Sequence, residues 1–289
     1  MISQNTSLAE AYSECRKIAL GHYENFPVGS VLIPKVLRKH FFALYAFMRT
    51  ADDFADLPHR PKEERLDRIA DWRSQLDEIM DGKAPNHPIF IALRNTITEC
   101  KLPTQPLYKL LKAFEFDAKG NVHFETFDDL RWYTSRSAEP VGELVLALFG
   151  YRDVERIKLS NDICTGLQLL NFIQDIKEDL GNKRYYYPSD DCQIFGVELS
   201  SSDGLKSVPL SLISLFELDR VESLIDRGAP LVESVRGRLR YELRAIIRAA
   251  RKMIEKTRKL DGNTYTMRAK LSKMEHLIVL LQSLVFRVT

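Results

Sequence analysis

Apolar residues recur at three- and four-residue spacing along almost the whole chain, while strict apolar–polar alternation is rare. That period belongs to amphipathic helices rather than half-buried strands, so the pattern predicts an all-α protein. Helices are expected over residues 8–20, 35–56, 62–81, 88–100, 105–118, 127–149, 154–180, 210–226, 230–260 and 268–286. Pro58, Pro61, Pro85, Pro103, Pro188 and Pro209 fall in the connections, where a missing N–H costs no helical hydrogen bond. Pro140 is the exception: it lies inside the 127–149 segment, two residues before Gly142, and predicts a kinked helix. Neither a low-complexity linker nor a short-period repeat interrupts the pattern, so residues 1–289 are read as a single helical domain.

Composition narrows the function classes. The chain is 45% hydrophobic and 28% charged, which suits a globular protein with a sizeable core. A formal net charge of +2 lacks the basic excess of a nucleic-acid binder, so no nucleic-acid partner is expected. Cys15, Cys100, Cys164 and Cys192 are far apart and support neither a zinc site nor a disulfide framework. The opening "MISQNTSLAEAY" has no secretory pattern, and the expectation is a cytoplasmic protein. The late apolar run "LIVLLQSLVF" is shorter than the ~20 residues of a spanning helix, leaving at most a peripheral membrane contact.

Two acidic stripes carry the candidate chemistry. In "YAFMRTADDFAD", Tyr45, Arg49, Asp52, Asp53 and Asp56 fall within an arc of about 100° on a helix otherwise suited to burial. In "GLQLLNFIQDIKEDLGNKRYYYP", Gln168, Asn171, Asp175 and Asp179 fall within about 80°. Asp52 with Asp56, and Asp175 with Asp179, are like charges four residues apart, which destabilise a helix unless something neutralises them. One such pair is usually a solvated surface; two, each on a largely apolar helix, point to a shared hard-oxygen site. Carboxylates converging across a bundle suit Mg²⁺, completed by substrate phosphate oxygens. Arg49 and Arg184 are placed to help, since guanidinium binds phosphate bidentately.

Other polar groups read as structural. Asp128 and Asp129 follow Thr126 and complement a helix N-terminus, and Asp190 and Asp191 are expected in a loop after Pro188. His22, His40, His59, His87, His123 and His276 are scattered and suggest neither a triad nor a metal site. "HYENFPV", from His22 to Val28, reads on local chemistry either as a helix-ending loop or as part of a site.

These residues resemble the head-to-head isoprenyl diphosphate synthases: squalene, dehydrosqualene and phytoene synthases. "DDFAD" looks like that family's first aspartate motif, "QLLNFIQDIKEDLGNKRYYYP" like its second, and "YTSRSAEPVG" like its kinked active-site helix. The resemblance covers essentially the whole chain and implies an isoprenoid synthase bundle around a central apolar cavity, with two or three Mg²⁺ ions. It assigns Asp52, Asp53, Asp56, Asp175 and Asp179 to metal, and Arg49, Arg184, Tyr265 and Arg268 to diphosphate. It assigns Tyr45, Tyr133, Gln168, Asn171 and Tyr186 to the reaction centre. "HYENFPV" resembles the hydroxysqualene synthase branch of bacterial hopanoid pathways and implies that His22, Tyr23, Glu24, Asn25 and Phe26 shape the pocket mouth. Gln174, where phytoene-type members often carry Arg, and Glu139-Pro140, in place of a small-residue pair, depart from the family pattern.

The reaction this implies is ionisation of presqualene diphosphate and capture of the cation by water, giving hydroxysqualene and diphosphate. NADPH is not expected, and the sequence carries no G-x-G-x-x-G fingerprint. A separate presqualene diphosphate synthase would be the functional counterpart. The alternatives are condensation of two farnesyl diphosphates to presqualene diphosphate or squalene, phytoene synthesis, and a non-catalytic helical assembly factor. Arg240, Arg244, Arg248 and Arg251 line one face of the 230–260 segment, expected to be a solvated outer face or, in second place, one that meets an anionic membrane.

Overall fold

The computed structural model describes residues 6–21, 33–56, 60–120, 122–200 and 208–285. Among these residues the only regular elements are helices: α1 (Leu8–Gly21), α2 (Lys35–Ala55), α3 (Lys62–Met80), α4 (Pro88–Cys100), α5 (Gln105–Lys119), α6 (Phe127–Ser137), α7 (Glu139–Leu148), α8 (Val154–Gly181), α9 (Ser189–Phe195), α10 (Val208–Gly228), α11 (Leu231–Ser234), α12 (Gly237–Lys259) and α13 (Lys273–Val285). The chain divides into two compact units, Met1–Gly120 with Glu143–Arg152, and Asn121–Gly142 with Asp153–Thr289.

The first unit is built on α2, whose buried residues include Leu44, Phe47, Ala51 and Ala55. Phe47 stacks on Trp72 of α3 at 6.0 Å and meets Phe90 of α4 edge-on at 5.9 Å, each buried ring contributing roughly 1.5–3 kcal/mol. A buried polar tie joins α1, α2 and α4. The Tyr12 hydroxyl donates to Asn95 Oδ1 at 2.8 Å, His40 Nδ1 lies 3.0 Å from Thr96 Oγ1, and its Nε2 lies 3.1 Å from Glu99. With both ring nitrogens engaged inside this packing, His40 has a structural role.

In the second unit α8 packs lengthwise on α10. Gly166 makes the approach close: a Cβ there would lie 3.1 Å from Ile225 Cδ1. The α6–α7 junction is a break rather than a gentle kink. Ala138 separates the two helices at φ −115° and ψ −50°, its N–H still donating to the Thr134 carbonyl at 3.0 Å, and Pro140 then sits in the first turn of α7, where no helical bond is lost. Thr126 caps the start of α6 as expected, and with Asp129 it forms a reciprocal capping box.

Five expectations are corrected. Residues 127–149 are two helices rather than one, and residues 230–260 are interrupted at Val235 and Arg236. The last helix begins at Lys273 rather than 268. Asp190 and Asp191 open α9 instead of lying in a loop, and Asp191 is buried against Arg220 at 2.5 Å, a structural role nonetheless. The arginine face of α12 is also less solvated than expected. Arg244 is buried and bonds Glu233, Arg240 donates to the Val235 carbonyl, and Arg251 pairs with Asp226. No helix among the described residues is long and apolar enough to cross a membrane.

Candidate active site

In the first unit, the α2 stripe forms around one guanidinium. Arg49 reaches Asp53 Oδ1 at 2.6 Å and Asp52 Oδ2 at 3.3 Å, so the charges of these two aspartates are offset from within the stripe. Tyr45 lies beside this group: burial raises its phenol pKa, and the Arg49 charge opposes the rise. Asp56 ends the helix, its N–H donating to the Asp52 carbonyl. The side chains of Arg49, Asp52 and Asp53 are all partly exposed, so these ion pairs orient more than they stabilise.

In the second unit, α8 carries Asp175 and Asp179 one turn apart on one face. Burial raises Asp175 above the ordinary carboxylate range, with Arg268 opposing. Asp179 is pushed up to about 7, first by burial and then by the charge of Asp175. Arg268 ion-pairs with Asp175, while Gln174 Nε2 donates to the neighbouring Ala269 carbonyl at 3.1 Å. Arg184 follows the helix end, its N–H donating to the Asp179 carbonyl at 2.8 Å, and its charge lowers the Asp179 pKa. Tyr265 lies in the turn after α12, on the segment that leads to Arg268.

An aromatic cluster adjoins the aspartates. Phe172, three residues before Asp175, stacks on Tyr186 at 3.7 Å with the rings 5° from parallel. Tyr133 lies 6.4 Å from Phe172 and 6.1 Å from Tyr186, and Phe124 lies 5.5 Å from Tyr133. Backbone pairing holds Tyr186 there: the Tyr185 N–H donates to the Val122 carbonyl at 2.8 Å and the Ser189 N–H to the Phe124 carbonyl at 3.0 Å. Gln168 is half-buried on α8 and Asn171 is exposed.

The sequence reading missed Phe124 as a site residue and treated Phe172 as packing bulk. The available signal was the three-residue step from Phe172 to Asp175, which puts ring and carboxylate on one helical face. His22, Tyr23, Glu24, Asn25 and Phe26 lie outside the described residues.

The donor chemistry fits a hard divalent cation. Each stripe supplies paired carboxylate oxygens, and the pair on α8 is half-buried with its charge incompletely offset by protein cations. Among the described residues no group of three or more potential ligands gathers in one place.

Helical architecture and aspartate-bearing helices define an all-α isoprenoid synthase. The chain belongs to the squalene/phytoene synthase family, which matches it over residues 20–275. The hydroxysqualene synthase of Zymomonas mobilis is 33% identical over 83% of this chain and 81% of its own length. That of Sinorhizobium fredii is 30% identical over 85% of this chain and 83% of its own. The crystal structure of squalene synthase HpnC from Alicyclobacillus acidocaldarius shares 34% identity and a TM-score of 0.81, covering 88% of this chain and 95% of that one.

Proposed function

We propose that the protein converts presqualene diphosphate and water to hydroxysqualene and diphosphate, as a step of bacterial squalene and hopanoid biosynthesis. The observation that carries this reading is the placement of the half-buried carboxylates Asp175 and Asp179 within two turns of the stacked pair Phe172–Tyr186. A diphosphate end and a cation-stabilising end therefore share one helical face. The identity to proteins named hydroxysqualene synthase, extending over more than four-fifths of both chains, supports the choice of reaction.

Asp52, Asp53, Asp56, Asp175 and Asp179 would hold Mg²⁺. When bound, the metal supplies Lewis-acid neutralisation of the departing diphosphate. Arg184 and Arg268 add fixed positive charge beside Asp179 and Asp175, Arg49 adds it beside Asp52 and Asp53, and Tyr265 lies on the segment that carries Arg268. Tyr133, Phe172 and Tyr186 present ring faces to the positive charge that develops on carbon, and the buried apolar surroundings keep stray water from it. Gln168 and Asn171 are proposed as polar contacts along α8, and Tyr45 as one beside Arg49. No reductant enters the scheme.

The substrate is a strained product of head-to-head condensation, so a separate presqualene diphosphate synthase must supply it. The product is very apolar. Met274, Leu277, Ile278, Leu280 and Leu281 are exposed on α13, which supports loose contact between a cytoplasmic enzyme and the membrane that receives it.

The test is incubation of the purified protein with Mg²⁺ and presqualene diphosphate, without NADPH, and identification of the extracted product by mass spectrometry. Hydroxysqualene supports the reading. No turnover there, with conversion of farnesyl or geranylgeranyl diphosphate instead, moves the protein to a condensing role.

A further inference from the structure

Glu139 is an acid in an expensive place. It is 8% exposed, directly after the α6–α7 break, and a buried carboxylate is costly unless it is paired and hydrogen-bonded. Its partners come from two other helical positions. The Thr165 hydroxyl of α8 donates to Glu139 Oε1 at 3.0 Å, Arg131 of α6 lies 3.9 Å from the same oxygen, and Thr165 also lies 3.4 Å from Thr134 Oγ1. A carboxylate that accepts from a hydroxyl beside a guanidinium is held as an acceptor.

The surroundings connect this acid to the proposed reaction centre. Thr134 follows Tyr133, whose ring belongs to the aromatic cluster. Thr165, Gln168 and Phe172 stand at positions i, i+3 and i+7, on one face of α8. Thr165 and Phe172 are therefore about two turns, roughly 10 Å, apart along the helix. A substrate built from two farnesyl units exceeds that span. Gly142 lets the start of α7 sit tight on α8: a Cβ there would overlap Ser160 Oγ and lie 2.6 Å from Cys164 Sγ. The turn that carries Glu139 is thus held close against α8.

We infer that Glu139 is the catalytic base of water capture: its carboxylate holds the water that attacks the rearranged cation and takes that water's proton. This rests on the reading of the protein as a hydroxysqualene-forming enzyme and deepens it. The carbon–oxygen bond of the substrate breaks with its electron pair leaving on diphosphate. A new carbon–oxygen bond forms from a water lone pair, one O–H bond of that water breaks, and the proton passes to Glu139. Thr165 and Arg131 position the carboxylate. A merely structural Glu139, capping α7 or complementing its dipole, would affect stability without affecting the fate of the cation.

The experiment supplies presqualene diphosphate and Mg²⁺ to the wild type, Glu139→Gln and Thr165→Val, and measures hydroxysqualene formed per diphosphate released. The expected result is a fall of about 10-fold or more in Glu139→Gln, in line with the loss of a general base. Unhydroxylated hydrocarbon should take its place as the cation loses a proton to the departing diphosphate. Thr165→Val keeps the acid and loosens it, and should shift the ratio in the same direction by a smaller factor; it decides the matter if the Gln variant does not fold. An unchanged ratio in every variant that folds overturns the role of Glu139 while leaving the enzyme's reaction standing. A wild type that forms no hydroxysqualene overturns both.

Discussion

Gln174 donates its side-chain amide to the carbonyl of Ala269 at 3.1 Å, tying α8 to the segment ahead of α13. The bond lies one residue from each member of the Asp175–Arg268 ion pair. The residue that departs from the phytoene-type pattern thus positions the cation that faces the second aspartate motif. In Gln174→Ala that segment loses one hydrogen bond, worth about 0.5–1.5 kcal/mol. The expected outcome is a KM for the prenyl diphosphate raised about 3- to 10-fold, with kcat changed less; Arg268→Ala should raise it further. Steady-state kinetics decide: an equal fall in kcat and kcat/KM would mean that Gln174 acts only on the transition state.

The aspartates of α8 are poised at the expense of stability. Asp179 is pushed up to about 7 by burial and by Asp175, so its ionised form is strained in the metal-free fold. Asp179→Asn removes that charge and should raise the metal-free Tm by about 2–4 °C, the shift expected for about 1 kcal/mol in a chain of this size, while abolishing product formation. Thermal melts in a chelator, then with Mg²⁺ and diphosphate, provide the check. The wild type should gain stability on adding the pair and the variant should gain much less, because only a competent site links binding to folding. A lower metal-free Tm for the variant would contradict the argument.

Glu217 gives a pH dependence independent of catalysis. It is 2% exposed and shares Arg220, at 2.7 Å, with Asp191, while Phe127 and Phe216 lie 4.3 and 4.4 Å from that guanidinium. Burial raises its pKa from 4.5 to about 8. The folded state therefore binds this proton more tightly than the unfolded state. The contribution is complete below about pH 4.5 and is lost as pH rises toward about 8, costing on the order of a few kcal/mol across that window. Denaturant unfolding of Glu217→Gln from about pH 5 to 8 should show a flatter profile than the wild type, with the variant gaining relative stability at the alkaline end. Parallel profiles would rule out Glu217 as the source.

Helix periodicity made the all-α class and most helix limits legible, and the aspartate stripes were legible because i, i+4 spacing alone puts Asp175 and Asp179 on one face. The break at Ala138 was signalled by Pro140 and Gly142, but its depth depends on Ser160 and Cys164 of α8, which are distant in sequence. The short helix α9 escaped notice because seven residues carry too little periodicity to register. The arginines of α12 were read as a solvated face because local pattern does not show the carboxylates of α10 and α11 that receive them. The place of Phe124 beside Tyr133 and Tyr186 was hidden for the same reason: it reaches Tyr186 through backbone pairing between segments some sixty residues apart.

The α8–α10 contact offers a test of how closely the site depends on packing remote from it. At Gly228, the last residue of α10, a Cβ would lie 2.5 Å from Ile163 Cγ1 and 2.8 Å from the Leu159 carbonyl oxygen. The carbonyl belongs to the α8 backbone and cannot rotate aside, so Gly228→Ala must displace one helix from the other, an overpacking cost of about 1–3 kcal/mol. At Gly166 the nearest atoms are side-chain carbons of Ile225 and Leu224, at 3.1–3.3 Å, which can yield by a few tenths of an ångström. Gly228→Ala should therefore lower Tm by roughly 2–10 °C and Gly166→Ala by clearly less, as read by calorimetry. Because α8 also carries Asp175 and Asp179, the same displacement should lower kcat/KM in Gly228→Ala at temperatures where the variant is fully folded. A Tm ordering reversed between the two glycines would mean that α10, rather than α8, yields at the contact, and the kinetic effect should then vanish.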